Sequence, residues 1–181
     1  MTKLFGSSGV RGIVNSELTP TLACKVASAV AAYAKAKKVI VARDTRVSGD
    51  MIEAALVSGL TSMGTDVLLA GMVPTPALAY ASKVSGSDAG FMLTASHNPP
   101  QYNGIKVFKG DLSYVDQDQA AVEKIVANGK LPFADWRKLG KTAPIDAAQI
   151  YLDMATKAVT LKKQWRVIVD AGCGAACDLG P

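Results

Sequence analysis

The sequence predicts an α/β fold: a layered sheet of mainly parallel strands between helices. Three observations carry that prediction. Short apolar strand-like runs alternate with helical ones, which calls for parallel strands joined by right-handed crossovers. Hydrophobic residues make up 49% of the chain and aromatics only 6%, so small aliphatics do the packing, as suits helices laid closely on a parallel sheet. With 19% charged residues over 181 positions, the chain is neither disordered nor too short to bury a core.

The elements follow in order. Thr19-Pro20 is a helix cap followed by proline at the first helical position, and Leu22, Val26, Ala29, Val30 and Tyr33 then recur at helical spacing. Val39-Ile40-Val41 is a buried-strand run. Ser48 caps a second helix with Ile52, Ala55, Leu56, Gly59 and Leu60 on one face, stopped at Gly64. Val67-Leu68-Leu69 is a third strand, and Thr75-Pro76 repeats the cap-plus-proline start for a helix to about Val84. Residues 88–93 form a strand, and residues 104–108 return as another. A helix from about Asp116 ends at Gly129, and residues 131–144 are irregular. Asp146 with Gln149 is a capping box for a helix to about Val159. Trp165 to Asp170 is one more strand, followed by a glycine-rich turn.

Charge and cysteine usage narrow the class. The net charge is +5 and the pI about 9.1, which suits nucleic acid, an anionic membrane or a phosphorylated substrate. Lys35-Ala36-Lys37-Lys38 and Lys162-Lys163 are short runs without interleaved aromatics. That argues against nucleic acid and for solvated helix ends. Cys24, Cys173 and Cys177 are scattered and odd in number, which fits a reducing compartment better than a disulfide framework. There is no cleavable signal and no membrane-length apolar run. The expectation is a cytoplasmic protein without membrane or nucleic-acid partners.

The stretch Thr94-Ala95-Ser96-His97-Asn98-Pro99-Pro100-Gln101-Tyr102-Asn103-Gly104, closed by Lys106, is the most informative. It follows the apolar run Ala89 to Leu93, and its two prolines stop the strand and stiffen the turn. Ser96 is thereby placed on a rigid loop at a strand's carboxyl end, the edge where open α/β sheets bind ligands. His97 directly follows Ser96; adjacent residues point apart, so it is a poor general base for that serine. The serine lies in Thr-Ala-Ser-His-Asn, without the G-x-S-x-G elbow of a hydrolase.

This string resembles the phosphoserine loop of the α-D-phosphohexomutases, which include phosphoglucomutase, phosphomannomutase and phosphoglucosamine mutase. Two further segments resemble that family in its order. Phe5-Gly6-Ser7-Ser8-Gly9-Val10-Arg11-Gly12 is similar to its opening signature. Val41-Ala42-Arg43-Asp44-Thr45-Arg46 is similar to its G-x-D-x-R segment, with Ala42 in place of the usual glycine. The resemblance runs from Phe5 to the Asp170-Ala171-Gly172-Cys173-Gly174 stretch, similar to the start of the family's second domain. It implies residues 1–145 as a phosphoserine-bearing N-terminal domain and residues 146–181 as the opening of a truncated second one.

The resemblance makes Ser96 the residue that carries and donates phosphate. A phosphoserine brings a charge of about −1.5 to −2, so cations are needed around it; Arg11, Arg46 and Lys106 are the candidates. By resemblance Arg11 and Lys106 approach Ser96, with Lys106 moving a proton at the sugar hydroxyl, and His97 orients the loop or bonds the phosphoryl group. Ser7, Ser8, Arg46 and Asn98 are further phosphate-binding candidates. For Arg43 and Arg46 an internal salt-bridge network anchoring the strand end stands as an equal alternative, with Asp44 structural. The family implies Mg²⁺ held by a phosphoserine oxygen and an Asp-x-Asp-x-Asp-Arg segment. Of those ligands only Ser96 is in this sequence, since Asp116 and Asp118 read as helix-capping residues.

The expectation is the N-terminal part of an intramolecular phosphotransferase, an isomerase moving phosphate between C1 and C6 of a hexose phosphate through a hexose 1,6-bisphosphate. Its partners would be that substrate, the bisphosphate and the enzyme's remaining domains. The isolated chain, a truncated piece or a natural fragment, is expected to be inactive. The alternative is a stand-alone phosphosugar-binding or interaction module without turnover.

Overall fold

A computed structural model describes residues 3–6 and 9–180. Its elements are β1 (Phe5–Gly6), β2 (Gly9–Ile13), α1 (Pro20–Ala34), β3 (Lys38–Arg43), α2 (Gly49–Ser62), β4 (Asp66–Met72), α3 (Thr75–Val84), β5 (Ala89–Leu93), β6 (Tyr102–Lys109), β7 (Leu112–Ser113), α4 (Asp116–Asn128), β8 (Thr142–Pro144) and α5 (Ala147–Ala158). One sheet runs in the order β1-β2-β6-β5-β3-β4-β8, with β7 beside β6. The α/β class is as expected, and the sheet is mixed. The β3–β4, β3–β5 and β4–β8 pairings are parallel, whereas β1–β2, β2–β6, β5–β6 and β6–β7 are antiparallel. The parallel half comes from the helical crossovers. The antiparallel half comes from β6, which the stiff loop after β5 turns back alongside it.

Strand alternation sorts the core into two layers. Val39, Val41, Phe91, Leu93, Ile105 and Val107 face one way, against α1, α2 and α4. Ile40, Ala42, Met92 and Phe108 face the other way, with α3 and the start of α5. Both faces of the central strands are therefore buried, which explains their unbroken apolar runs. Each fully covered Ile, Leu or Phe contributes about 1.5–3 kcal/mol. α1 packs closely on α2, where the Ser28 hydroxyl donates to the carbonyls of Cys24 and Gly59, both at 3.0 Å.

Cap chemistry is partly as expected. Thr19 Oγ1 accepts from Leu22 N at 3.2 Å, with Pro20 at the first helical position. Asp146 Oδ1 accepts from Gln149 N at 2.9 Å, but the Gln149 amide reaches forward to Asp153 instead of closing the box. Asp118 accepts from Val115 N at 3.1 Å and from the Tyr33 hydroxyl at 2.7 Å. At α3 the cap is Pro74 and Thr75 is already helical. At α2 Ser48 holds the cap position, but its hydroxyl accepts from the Asn103 amide at 2.9 Å.

Two readings need correction. The stretch from 131 to 144 is not wholly irregular: Trp136–Lys138 form a 3₁₀ turn, and β8 adds to the edge of β4. The strand expected over Trp165–Asp170 does not form in this chain. A strand needs a neighbour for its ladder; this run meets none among the described residues, and Ile168 is 96% exposed.

Candidate active site

Ser96 ends up where the prolines and the β5 edge were expected to put it, but in an unusual conformation. Its φ is 57°, in the left-handed region that a serine seldom occupies. Both sides of the residue are held. Its N–H donates to Thr94 Oγ1 at 2.9 Å, and its carbonyl accepts from Arg46 Nη2 at 2.8 Å. Thr94 is itself 5% exposed, so the anchoring hydroxyl cannot swing away.

The loop is two successive turns. Asn98 N donates to Ala95 O at 3.1 Å, and Tyr102 N donates to Pro99 O at 3.0 Å. Arg46 stitches them together. Its Nη1 donates to Pro99 O and Tyr102 O, both at 2.8 Å; its Nη2 donates to Ser96 O at 2.8 Å and Asn98 O at 2.7 Å. Its Nε lies 3.3 Å from Asp44 Oδ2, and its backbone N–H donates to Asp44 Oδ1 at 3.0 Å. A guanidinium has five N–H donors, and all five are engaged. Arg46 was expected at the phosphate; it borders the same cleft as Ser96, but its donors are taken up by the serine loop's carbonyls and by Asp44. Arg43 pairs with Asp50 at 2.7 Å and with Glu53 at 3.2 Å. Burial raises the Glu53 carboxyl above its usual range, with the Arg43 charge opposing. The Arg43-Asp44-Thr45-Arg46 segment is thus the internal network that was the alternative reading.

His97 corrects a geometric expectation. The left-handed turn at Ser96 breaks strand alternation, so neighbouring side chains do not point apart. His97 Nδ1 lies 3.5 Å from Ser96 Oγ, a contact too long for a strong hydrogen bond. Both residues, with Asn98, line a cleft of about 850 Å³ bordered by Asp44, Thr75 and the 172–176 segment. Ser7 and Ser8 lie outside the described residues.

Arg11 and Lys106 share the sheet face that carries Thr94. In the β2–β6 register Arg11 pairs with Gly104, and in the β5–β6 register Lys106 pairs with Met92. Gly104 is what lets Arg11 lie across β6. A Cβ at Gly104 would sit 2.8 Å from Arg11 Cγ and 2.7 Å from the Thr94 carbonyl oxygen. At Gly9, whose φ is 103°, a Cβ would collide with the carbonyl of Ile105, so glycine is required where the N-terminal hairpin meets β6. Arg11 Nε is buried without a hydrogen-bond partner among the described residues. Burial, then the nearby charge of Arg11, holds the Lys106 ammonium below its ordinary range. Lys106 opens onto a smaller pocket of about 210 Å³, and Thr75 borders both that pocket and the large cleft.

Sequence reasoning passed over Thr94 and Asn103. Asn103 is fully buried; its amide N–H donates to Ser48 Oγ and its Oδ1 accepts from Gly104 N at 2.8 Å. The signal was there: a threonine two residues before the serine is a side-chain-to-backbone turn pattern. Among the described residues no three His, Cys, Asp or Glu side chains are grouped to hold a metal, and no helix is long and apolar enough to cross a membrane.

Residues 2–132 match the family described as phosphoglucomutase/phosphomannomutase, alpha/beta/alpha domain I. The chain is 42% identical over 182 residues to a probable phosphoglucosamine mutase of Thermococcus kodakarensis, covering all of this chain and 40% of that protein. It is 42% identical over 193 residues to a phosphoglucosamine mutase of Caldicellulosiruptor bescii, covering all of this chain and 42% of that one. A solved phosphoglucomutase/phosphomannomutase family protein from Burkholderia thailandensis superposes with a TM-score of 0.79 at 27% identity, over 89% of this chain and 37% of that one. A putative phosphomannomutase from Thermus thermophilus does so with a TM-score of 0.75 at 32% identity, over 87% and 36%. The chain therefore spans about 40% of the length of the curated relatives it matches. With the domain match covering most of the chain and whole-chain identity to these mutases, the chain belongs to the phosphoglucomutase/phosphomannomutase family and carries its α/β/α domain I.

Proposed function

We propose that this chain is the phosphoserine-bearing part of a cytoplasmic phosphohexomutase whose remaining domains lie beyond residue 181. The observation that carries the reading is the Ser96 turn: a serine at φ 57°, fixed from both sides, at the mouth of a cleft. Left-handed serines are costly by about 1–3 kcal/mol and concentrate at functional sites. The names of the curated relatives make glucosamine phosphate the first substrate to test.

In the proposed cycle a hydroxyl of the hexose monophosphate attacks the phosphorus on Ser96. The bond from phosphorus to the serine oxygen breaks as the new one forms. The hydroxyl proton passes to Lys106, whose ammonium burial already disfavours, and is returned to the Ser96 oxygen. The bisphosphate reorients, and its other phosphoryl group goes back to Ser96. Arg11, whose buried Nε has no partner among the described residues, offsets phosphoryl charge, and His97 borders the serine oxygen. Mg²⁺ would further offset charge through a phosphoserine oxygen. The carboxylates to complete its shell are not grouped among the described residues. Residues from 146 onward are proposed to lead into the second domain, with α5 still packed on α3 of the first.

Incubating the full-length protein with glucosamine 1,6-bisphosphate should add one phosphate, mapped to Ser96 by peptide mass. Ser96→Ala should lose that phosphate and nearly all turnover while keeping its melting temperature. Phosphate on another serine, or normal turnover by Ser96→Ala, would refute the assignment.

A further inference from the structure

Resting on the reading of Ser96 as the phosphoryl carrier, we infer that Arg46, with Asp44, is a positioning residue that sets the serine's geometry without touching phosphate. A guanidinium near a phosphoserine is ordinarily read as a phosphate ligand. Here that reading fails on donor count. Four N–H groups go to the carbonyls of Ser96, Asn98, Pro99 and Tyr102, and Nε faces Asp44. None is left to point at a ligand. The side chain is 12% exposed and Asp44 16%, so the pair is a largely covered strut and not a surface clamp.

The strut links rigid elements to Ser96, whose backbone lies in the left-handed region. Asp44 N donates to Leu93 O at 3.0 Å, which ties the end of β3 to the end of β5 just ahead of the loop. Arg46 then converts that fixed edge into four contacts on the loop's inward-facing carbonyls. Asn103 Nδ2 to Ser48 Oγ holds the loop's exit to the start of α2, two residues beyond Arg46. With the Thr94 hydroxyl on the Ser96 N–H, the Ser96 peptide is bounded on every side. The carbonyls fix the orientation of a group that must attack and leave in line, where a displacement of about 1 Å costs on the order of a hundredfold.

The test uses the full-length protein carrying Arg46→Ala, Arg46→Lys or Asp44→Asn. Deuterium exchange of the 94–104 peptide, the melting temperature, the phosphate content of Ser96, and kcat and KM are measured together. The expected result is faster exchange confined to this peptide, kcat down about a hundredfold in Arg46→Ala with KM within threefold, and a smaller loss in Asp44→Asn. Arg46→Lys should recover little, because an ammonium has three donors without a planar fork. A direct phosphate ligand would instead raise KM, leave loop exchange as in wild type, and be partly rescued by lysine; that outcome overturns the inference. So does a kcat within threefold of wild type in Arg46→Ala. If Arg46→Ala fails to fold, Asp44→Asn and Arg46→Lys are read by the same exchange experiment, and unchanged loop exchange in both refutes the strut. If wild-type Ser96 takes no phosphate, the functional reading fails on its own, while loop exchange still decides what Arg46 does.

Discussion

Lys106 shows how a single residue is tuned by the fold around it. It sits on β6 opposite Met92, and burial first, then the charge of Arg11, lowers its pKa from the usual 10.5. The folded state therefore binds fewer protons at Lys106 than the unfolded state in the window between that lowered value and 10.5. Above the window both states are neutral there and no penalty exists. As pH falls through the window, folding must either leave Lys106 neutral or bury its charge, and stability declines. Lys106→Met removes that penalty. In the unphosphorylated protein it should raise the melting temperature at pH 7, with the gain shrinking toward pH 10.5, while turnover falls about ten- to hundredfold. A lower melting temperature at pH 7 would show that the lysine is stabilised by a partner instead. Phosphate on Ser96 should oppose this shift, since an added anion favours the ammonium.

At the scale of elements, the two caps Thr19 and Ser48 look alike in the sequence and differ in the fold. Thr19 caps α1 directly, so Thr19→Ala should cost about 1 kcal/mol. The Ser48 hydroxyl serves Asn103, which is buried at the start of β6. Asn103→Ala should cost about 1–3 kcal/mol by leaving the Gly104 N–H and the Ser48 hydroxyl oxygen without their partner. Ser48→Ala should destabilise wild type but have little further effect in an Asn103→Leu background. A denaturation double-mutant cycle showing additive effects would break the proposed link between β6 and α2. The contrast marks what was legible. Helices α1, α2 and α4 were readable because apolar spacing and breakers such as Gly64 and Gly129 are local. The serine loop was readable because two prolines fix their own backbone. What hydroxyls and guanidinia bind across the chain was not: Ser48 to Asn103 and Arg46 to the loop span 55 and 50 residues or more. β8 was missed because three exposed residues have no pattern until β4 presents an edge. The β1–β2 pairing was hidden because Gly6, Gly9 and Gly12 leave no apolar alternation to read; Gly9 is glycine for closeness to β6.

For the whole molecule, the sheet, both helical layers and the serine loop close within residues 3–158. α5 packs on α3, and Ala147 is fully buried. Beyond that lies an apolar run with no cover: Trp165 is 63% exposed, Val167 71% and Ile168 96%. Since the relatives are about two and a half times as long, this run is proposed as the strand on which the second domain is built. Two consequences separate the piece from the full-length protein. The 181-residue chain should unfold cooperatively yet turn over no hexose phosphate, because no carboxylate cluster for the proposed metal is grouped among its described residues. Ile168→Lys should leave the melting temperature of that piece unchanged, since nothing covers Ile168, and should reduce its self-association by removing part of an exposed patch. In the full-length protein the same substitution should be severe. It would bury a charge in a central strand, with a cost of several kcal/mol, and turnover should fall with the folded fraction. Melting of both proteins and turnover of the longer one decide this. An Ile168→Lys full-length enzyme with wild-type stability would mean that the run stays exposed, and the second domain would have to begin elsewhere.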